Sequence, residues 1–234
     1  MFTGIVQGLA RVEVIEARPG LSTLTLSFPP GFGAELQIGA SVSVDGVCLT
    51  VTQVEGEHAA HLDVMQQSLQ LTTLSELSPG SQVNVERAAR DGAEIGGHPL
   101  SGHVDFQATV LEIRRPENNH VLRFGVPAPW MRYVFAKGYI AVNGASLTVA
   151  EADRQAGWFE VWLIPETRRV TNFGGLGVGS RVNVEIERST QIVVDTIRDA
   201  LDERFGLLLP ALEELLHKQG LSLPDLAGPM KRLL

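Results

Sequence analysis

The chain of 234 residues contains few of the groups on which metal-binding and disulfide-stabilised proteins depend. Cys48 is its only cysteine, which excludes an internal disulfide and every zinc site that needs two thiolates. The six histidines are scattered along the sequence, so we expect no metal. The sequence also lacks an apolar run long enough to span a bilayer, and no cationic stretch precedes an apolar block at its start. We therefore expect a cytoplasmic protein.

Positive charge is also in short supply. The 19 lysines and arginines are outnumbered by 27 aspartates and glutamates, which gives a formal net charge of -8. This balance repels phosphate backbones and anionic lipids, so neither nucleic acid nor a membrane is an expected partner. With 44% hydrophobic and 20% charged residues the composition is that of a globular protein. Its length favours two domains over one.

Three stretches of repeated sequence divide the chain into two similar halves. The hexapeptide GVCLTV at residues 46–51 recurs as GASLTV at 144–149, an offset of 98 residues (146 minus 48). The other two repeated stretches are TGIV at 3–6, which matches SGHV at 101–104, and VNVE at 83–86, which matches VNVE at 182–185. All three occur in the same order in both halves, which indicates an internal duplication. We place one domain at residues 1–97 and a second at 98–188.

Within each half, apolar and polar residues tend to alternate, as they do at residues 41–44 and 111–113, and glycine or proline interrupts the runs frequently. This pattern is typical of short strands joined by turns. A unit of this size with several short strands can hide its sheet edges by closing into a small antiparallel barrel. We therefore predict an all-β fold of two similar barrels.

After Glu187 the apolar pattern changes to a helical period. One stripe contains Ile192, Val193, Thr196, Ile197, Ala200, Leu201 and Phe205. Ser189 or Thr190 can cap the start of this helix and Gly206 can end it. A second helical stretch, with Leu212, Leu215 and Leu216 on one side, is predicted from Pro210 to Gly220. The stripe would pack on the chain's own barrels or on another subunit, and we favour the subunit because each barrel is already closed. Residues 189–234 are thus predicted to be a helical segment for oligomerisation.

Several motifs together resemble one known family. They are MFTGIV at 1–6, DGVCLTV at 45–51, VNVERA at 83–88, GGHPLSGHVD at 96–105, KG at 137–138, SLTV at 146–149 and IPET at 164–167. Each motif is weak alone, but in this order and spacing they resemble the riboflavin synthases over about residues 1–200. Residues beyond about 206 extend past what the family usually has, and we assign them no function.

The resemblance implies a fold, an assembly and a reaction. The fold is two tandem six-stranded antiparallel Greek-key barrels with a carboxy-terminal helix that helps to form a homotrimer. In the reaction, one molecule of 6,7-dimethyl-8-ribityllumazine transfers a four-carbon unit to another, which yields riboflavin and 5-amino-6-(ribitylamino)uracil. The implied site lies between the amino-terminal barrel of one subunit and the carboxy-terminal barrel of the next. No cofactor is implied, and association with a lumazine synthase is a further candidate interaction.

A reaction between two identical molecules needs two related pockets in which the two molecules behave differently. Residues at which the repeats disagree are therefore the leading catalytic candidates. These pairs are Cys48 and Ser146, Ile5 and His103, Gly39 and Lys137, Ser41 and Tyr139, and Ala88 and Glu187. From them and from Thr148, which matches Thr50, we take as catalytic candidates Cys48, His103, Ser41, Lys137, Ser146, Thr148 and Glu187.

Each candidate has a structural alternative. The 7-methyl group of the lumazine must lose a proton, and His103 could accept it near neutral pH or could simply form hydrogen bonds at the barrel junction. Cys48 could act as a nucleophile or be a small buried apolar residue. Lys137 could offset negative charge on the ring or be solvated. The hydroxyls of Ser146 and Thr148 could bind the ring or have local partners only. His98 is open between a structural and a catalytic role.

The ribityl hydroxyls need several convergent polar groups, and Asp63, Ser68, Glu166 and Thr167 are suitable for this contact. The resemblance assigns substrate contact to Gly4, Ile5, Val6, Cys48, Leu49, Thr50, Asp63, Val64, Met65, Gln66, Gln67, Ser68, Gly102, His103, Val104, Lys137, Ser146, Leu147, Thr148, Leu163, Ile164, Pro165, Glu166 and Thr167. Two positions depart from the family pattern, since Gln67-Ser68 replaces Glu-Thr and Glu187 replaces aspartate. Fluorescent lumazine-binding relatives, which are not catalysts, also lose the Glu-Thr pair.

Three other functions compete with the synthase. A non-catalytic lumazine- or flavin-binding protein would share the duplicated barrels, although a carrier has little need of His103, Cys48, Lys137 and Thr148 together. A flavin-dependent reductase would need a nicotinamide domain, and no Gly-x-Gly-x-x-Gly motif follows a strand. A scaffold without a ligand would fail to bind lumazine analogues.

Overall fold

A computed structural model describes residues 1–117, 119–206 and 208–219. Twelve strands form two closed antiparallel barrels of six strands each. The first barrel contains β1 (Gly8–Arg18), β2 (Leu21–Ser27), β3 (Ser41–Val44), β4 (Val47–Glu55), β5 (Ala59–Met65) and β6 (Gln82–Arg87). The second contains β7 (Phe106–Arg114), β8 (His120–Gly125), β9 (Tyr139–Val142), β10 (Ala145–Asp153), β11 (Trp158–Leu163) and β12 (Arg181–Ile186). The predicted all-β, tandem-barrel fold is confirmed.

The two barrels share one strand order. Around the first barrel the order is β1-β2-β5-β4-β3-β6, and the second repeats it as β7-β8-β11-β10-β9-β12. Strands that are distant in sequence lie side by side, as β2 and β5 do, and this is the Greek-key connection. Both barrels also carry register shifts in the first and fourth strands, which help a short sheet to bend and close.

Alternation along the strands builds a separate core for each barrel. Leu24, Leu62 and Val85 are among the residues that fill the first, and Phe124, Phe159 and Val184 are among those that fill the second. All six side chains are almost fully buried. The polar residues between them face away from the barrel interiors. Along β6 and β12 those polar residues are also buried, because Asn84 and Asn183 lie at the junction between the barrels.

The barrels meet where two equivalent hairpins touch. Asp45-Gly46 and Asn143-Gly144 both have two consecutive positive φ angles, 44° and 82° in the first turn and 43° and 77° in the second. Such two-residue turns suit Asp-Gly and Asn-Gly. A Cβ atom on Gly46 would lie 2.8 Å from the backbone nitrogen of Gly144, so the two turns can approach only through glycine.

Buried asparagines reinforce this junction in a two-fold pattern. The Asn84 side-chain amide donates to the backbone oxygen of Asn143, and the Asn183 amide donates to that of Asp45, each at 2.9 Å. The backbone amides follow the same pattern, since that of Asn84 donates to Asp45 Oδ1 and that of Asn183 donates to Asn143 Oδ1, each at 2.8 Å. The symmetry is broken by the Asn172 side-chain amide, which also donates to Asp45 Oδ1. Burial raises the pKa of Asp45 to about 7, although both hydrogen bonds oppose the shift.

Short helices follow the fifth strand of each barrel, and longer ones end the described chain. They are α1 (Gln66–Leu71), α2 (Pro165–Val170), α3 (Arg188–Phe205) and α4 (Leu208–Lys218). Residues 1–188 form one compact unit, and a second unit begins at Ser189. The two long helices match the predicted periodicity, but neither begins where it was predicted to. Helix α3 begins at Arg188, so Ser189 and Thr190 lie inside the helix rather than capping its start, and α4 begins at Leu208 rather than Pro210. Gly220, predicted to end it, and the side chain of Leu212 lie outside the described residues. No helix among the described residues has the length and apolar character that crossing a bilayer requires.

Candidate active site

Two leading segments, residues 1–6 and 99–104, run antiparallel to each other through the Phe2–Leu100 pair. Each is anchored by a glutamate of its own repeat. Glu86 Oε1 accepts from the Thr3 amide and hydroxyl, and Oε2 accepts from the Gly4 amide at 3.0 Å. Glu185 holds Ser101 and Gly102 in the same way. Burial raises the pKa of Glu86, while the hydrogen bonds from Thr3 and Gly4 lower it.

Once anchored, each leading segment crosses to the opposite barrel. The backbone amide of Ser146 donates to the Gly4 oxygen, and that of Cys48 donates to the Gly102 oxygen, both at 2.8 Å. A Cβ atom on Gly4 would lie 2.5 Å from Ser146 Cβ, and one on Gly102 would lie 2.7 Å from Cys48 Cβ. Both glycines also have positive φ. The segments therefore reach these strands only because glycine stands at both positions.

The crossing extends into the cores. Val6 packs within the core of the second barrel, and Val104 packs against the core of the first. The two candidate pockets are consequently built from both repeats of one chain. The contact also brings Ile5 beside Ser146 and places His103 next to the glycine that covers Cys48.

A cavity of about 280 Å³ opens between the first leading segment and the second barrel. It is lined by Gly4, Ile5, Val6, Ala145, Ser146, Glu166, Thr167, Val170 and Thr171. Six of these residues are predicted substrate contacts. The cavity therefore brings together parts of three motifs that lie far apart in the sequence.

His98 completes this site from behind Ser146. Its Nδ1 atom lies 2.6 Å from Ser146 Oγ, and its ring stacks on Tyr139 at a centroid distance of 5.2 Å. The ring is buried, and its Nε2 has no hydrogen-bond partner within the described part of the chain. Burial lowers the pKa of His98, while the charge of Glu187 raises it. Its Nδ1 is therefore suited to accept the Ser146 proton.

Glycine at position 97 allows His98 to lie close to Ser146. A Cβ atom there would lie 2.3 Å from the Thr3 carbonyl oxygen and 2.7 Å from Ser146 Cβ. The repeat comparison missed this contact because His98 lies outside the three matched stretches. The Gly-Gly-His sequence at 96–98 was the available signal, because consecutive glycines indicate a close backbone approach.

Cys48 occupies the position in the first barrel that is equivalent to Ser146, and its surroundings are different. Cys48 is half-buried in a small apolar cluster with Phe2 and Leu100, and its thiol forms no side-chain hydrogen bond to any described residue. His103 is exposed, and its backbone amide donates to Ser101 Oγ at 3.2 Å. Ser41 is half-buried and faces Thr50 in the β3–β4 register.

Lys137 occupies a backbone conformation that favours glycine. Its φ is 67°, and the equivalent Gly39 has a φ of 85°. Both amides make the same hydrogen bond, from Lys137 to the Val149 oxygen at 2.7 Å and from Gly39 to the Val51 oxygen at 2.8 Å. The turn is thus the same in both repeats, and the lysine is retained at a steric cost. Its side chain is exposed.

The candidate ribityl contacts differ in their hydrogen-bond partners and in their exposure. Glu166 accepts from Arg169 at 2.9 and 2.7 Å, and this hydrogen bond lowers the pKa of Glu166. Asp63 accepts from the Thr23 hydroxyl at 2.7 Å. Among the remaining predicted contacts, the exposed residues are Thr50, Met65, Gln66, Gln67, Thr148, Ile164 and Pro165, with Ser68 half-buried.

Besides Gly4 and Gly102, five predicted substrate contacts are buried, and all five have apolar side chains. They are Val6, Leu49, Val64, Leu147 and Leu163, whose exposed fractions are all 9% or less. No group of His, Cys, Asp and Glu residues within the described ranges could hold a metal ion.

Comparison with known proteins identifies the class of protein that this fold and site define. The lumazine binding domain matches twice, at residues 3–88 and 101–187. Solved structures of LumP are also similar. The complex with riboflavin has a TM-score of 0.74 at 28% identity over 80% of this chain and all of that chain, and the complex with 6,7-dimethyl-8-(1'-D-ribityl)lumazine has a TM-score of 0.72 at 27% identity. The chain is a tandem lumazine-binding barrel protein.

Curated relatives identify the family within that class. The riboflavin synthase of Escherichia coli is 44% identical over 205 residues, which cover 87% of this chain and 95% of that protein. The riboflavin synthase of Mycobacterium bovis is 42% identical over 201 residues, which cover 86% of this chain and all of that protein. The chain belongs to the riboflavin synthase family, and it is an enzyme.

Proposed function

We propose that the enzyme converts two molecules of 6,7-dimethyl-8-ribityllumazine into riboflavin and 5-amino-6-(ribitylamino)uracil. A four-carbon unit moves from one molecule to the other, and the atoms balance without an oxidant or reductant. The observation that carries this proposal is the pair of equivalent sites at which a leading segment crosses to the opposite barrel. Their backbones are alike around Gly4–Ser146 and Gly102–Cys48, yet one presents a serine with a histidine and the other presents a thiol.

That difference suits a reaction in which one molecule loses a proton and the other is attacked. In the second barrel, Ser146 Oγ can deliver or accept a proton through Nδ1 of His98, whose pKa is lowered by burial. Lys137 supplies a positive charge for the anion that the ring carries after its 7-methyl group is deprotonated. Thr148 faces Tyr139 across the β9–β10 ladder and offers a second hydroxyl.

The first barrel would hold the other lumazine beside Cys48 and Ser41, with His103 on the crossing segment. Glu187 acts on His98 through its charge, so the glutamate at this position keeps the role of a carboxylate. Gln67 and Ser68 retain hydrogen-bonding groups for the ribityl chain but provide no negative charge.

In the assembly that we propose, the first barrel of one subunit faces the second barrel of its neighbour in a homotrimer in the cytoplasm. Three residues of the predicted helical stripe, Ile192, Ile197 and Leu201, are each at least half exposed in the single chain, and such a stripe suits a subunit contact. Association with a lumazine synthase is a further interaction to be tested. Sedimentation analysis of the wild type and of Ile197→Glu would test the trimer, which the substitution should disrupt.

The competing function is binding of lumazine or flavin without chemistry. The LumP structures with bound ligands and the missing Glu-Thr pair favour it. The buried Ser146–His98 contact favours catalysis, since a carrier has no use for a neutral base beside a hydroxyl.

Anaerobic incubation with the lumazine alone separates the two functions. An enzyme produces the absorbance and fluorescence of riboflavin with one aminouracil for each flavin, without any added reagent. A carrier leaves the lumazine spectrum unchanged apart from a binding shift. Ser146→Ala is the matched variant, because it should bind the lumazine and lose most of its turnover. Equal turnover in the two proteins would remove Ser146 from the mechanism.

A further inference from the structure

Each barrel has a cavity beside the short helix that follows its fifth strand. The cavity next to α1 measures about 420 Å³ and the one next to α2 about 410 Å³. Five positions in the first cavity have counterparts in the second at offsets of 98 or 99 residues (120 minus 22, 165 minus 66). These pairs are Ser22 and His120, Gln66 and Pro165, Leu69 and Arg168, Gln70 and Arg169, and Ser75 and Gly174. The duplication has therefore preserved the cavity while its lining has changed.

The change in lining is one of charge. The remaining residues of the first cavity are Ile15, Leu24, Leu74 and Leu77, so no charged side chain of the described residues lines it. The second cavity has Arg168, Arg169 and His120 in the places of Leu69, Gln70 and Ser22. Arg169 is paired with Glu166. Within the described ranges, however, Arg168 makes no ion pair.

His120 stands out because it is buried without a partner. Only 3% of its surface is exposed, and neither ring nitrogen has a hydrogen-bond partner among the described residues. A buried polar group without a partner is costly unless something else satisfies it. Burial lowers the pKa of His120, and the charges of Arg168 and Arg115 lower it further. The ring therefore lies near a cation on α2, Arg168, and a cation that directly follows β7, Arg115.

We propose that this cavity binds the phosphate group of a ligand. Arg168 would pair with the phosphate oxygens, and His120 would donate a ring N–H to one of them. A bound dianion would satisfy the buried ring and reverse the effect of the arginines on it. The proposal does not depend on the reaction described above, because its residues are distinct from Ser146, His98 and Cys48.

The position of the cavity defines two sources for such a phosphate. Helix α2 separates it from the candidate active site, since Glu166 and Thr167 line one cavity while Arg168 and Arg169 line the other. The phosphate could be inorganic phosphate. It could also be the phosphate monoester of a flavin mononucleotide whose ring occupies the active-site cavity.

Titration with inorganic phosphate tests the site directly. The His120 imidazole resonances, assigned by comparison with His120→Ser, should shift saturably, and the pKa of His120 should rise when phosphate is bound. In Arg168→Leu, which introduces the leucine found at the equivalent Leu69, phosphate affinity should fall by about tenfold or more. Arg11→Leu removes the same charge from the first barrel, outside the cavity, and should leave the affinity unchanged.

The outcome of these titrations decides the proposal. Resonances of His120 that do not shift, or an Arg168→Leu protein that binds phosphate as tightly as the wild type, would overturn it. A comparison of flavin mononucleotide with riboflavin then identifies the source. If Arg168→Leu weakens binding of inorganic phosphate and of the mononucleotide but not of riboflavin, the phosphate belongs to a bound flavin. If it weakens binding of inorganic phosphate and affects neither flavin, the site takes the free ion.

Discussion

Nδ1 of His98 lies 2.6 Å from Oγ of Ser146, and Tyr139 holds the imidazole from one side. Because the two groups act as a unit, replacing either should have nearly the same effect as replacing both. We expect His98→Gln to lower kcat by roughly 10- to 100-fold with little change in KM. Steady-state kinetics of His98→Gln, Ser146→Ala and the double variant would measure this.

The control for this experiment is Tyr139→Phe, which keeps the stacked ring and should keep most of the turnover. If the effects of the two single substitutions multiply in the double variant, the histidine and the serine act independently. The 2.6 Å contact would then be structural.

Because Lys137 has a left-handed backbone conformation, its replacement by glycine should change stability and activity in opposite directions. Lys137→Gly introduces the residue that the first repeat has at Gly39 and relieves the strained φ of 67°. We expect the free energy of unfolding to rise by up to about 1 kcal/mol, while turnover falls. Denaturant unfolding and kinetics on the same preparation would check both. A less stable variant with full turnover would give Lys137 a purely structural role.

The glutamates that anchor the leading segments should control access to opposite barrels. Glu185 holds the segment that covers Cys48, whereas Glu86 holds the one that contacts Ser146. In Glu185→Gln the segment should open more often, so Cys48 should react faster with iodoacetamide. Because Cys48 is the only cysteine, the total alkylation rate reports on this site alone. Glu86→Gln is the comparison variant, and it should raise the rate less, because the segment that it loosens contacts Cys48 only through Phe2.

The raised pKa of Asp45 predicts that the stability of the folded protein depends on pH. Its pKa is raised from 3.8 to about 7 in the folded protein, so the folded state binds the proton more tightly than the unfolded state. The stabilisation is fully present below about pH 4 and is lost as the pH rises through about 7. Above that pH, Asp45→Asn should therefore be more stable than the wild type by up to about 4 kcal/mol, because the pKa difference of about 3.2 (7 minus 3.8) corresponds to about 1.4 kcal/mol for each pKa unit.

Urea unfolding at pH 5 and at pH 8 would measure this difference, which should be larger at pH 8. Asn143→Asp places a second acid at the equivalent turn and should have the opposite effect. A pH-independent difference between Asp45→Asn and the wild type would show that the carboxyl does not titrate in this range.

Much of the fold follows from patterns that are local in the sequence. The alternation around residues 41–44 and the Asp-Gly and Asn-Gly turns are sufficient to predict strands and tight hairpins. The repeated stretches predict that the two halves have the same fold. The order of the strands around each barrel came from the family resemblance, because alternation says which face is buried but not which strand lies beside which.

The candidate site was only partly accessible by the same means. Comparison of the repeats selected Ser146, Cys48 and Lys137, since these positions differ in chemistry within a shared backbone. It did not select Glu86 and Glu185, because they are identical in the two halves. Nor did it select His98, whose partner lies 48 residues away in the sequence.

The sequence by itself determined the duplication, the strand-rich character of both halves, the absence of disulfides and the family. Only the tertiary structure decided that the leading segments cross between barrels, so that Gly4 meets Ser146 and Gly102 meets Cys48. The physical reason is that secondary structure and burial depend on neighbours within a few residues. A close contact between two glycine turns and two strands depends instead on how both closed barrels meet, and no local pattern encodes that.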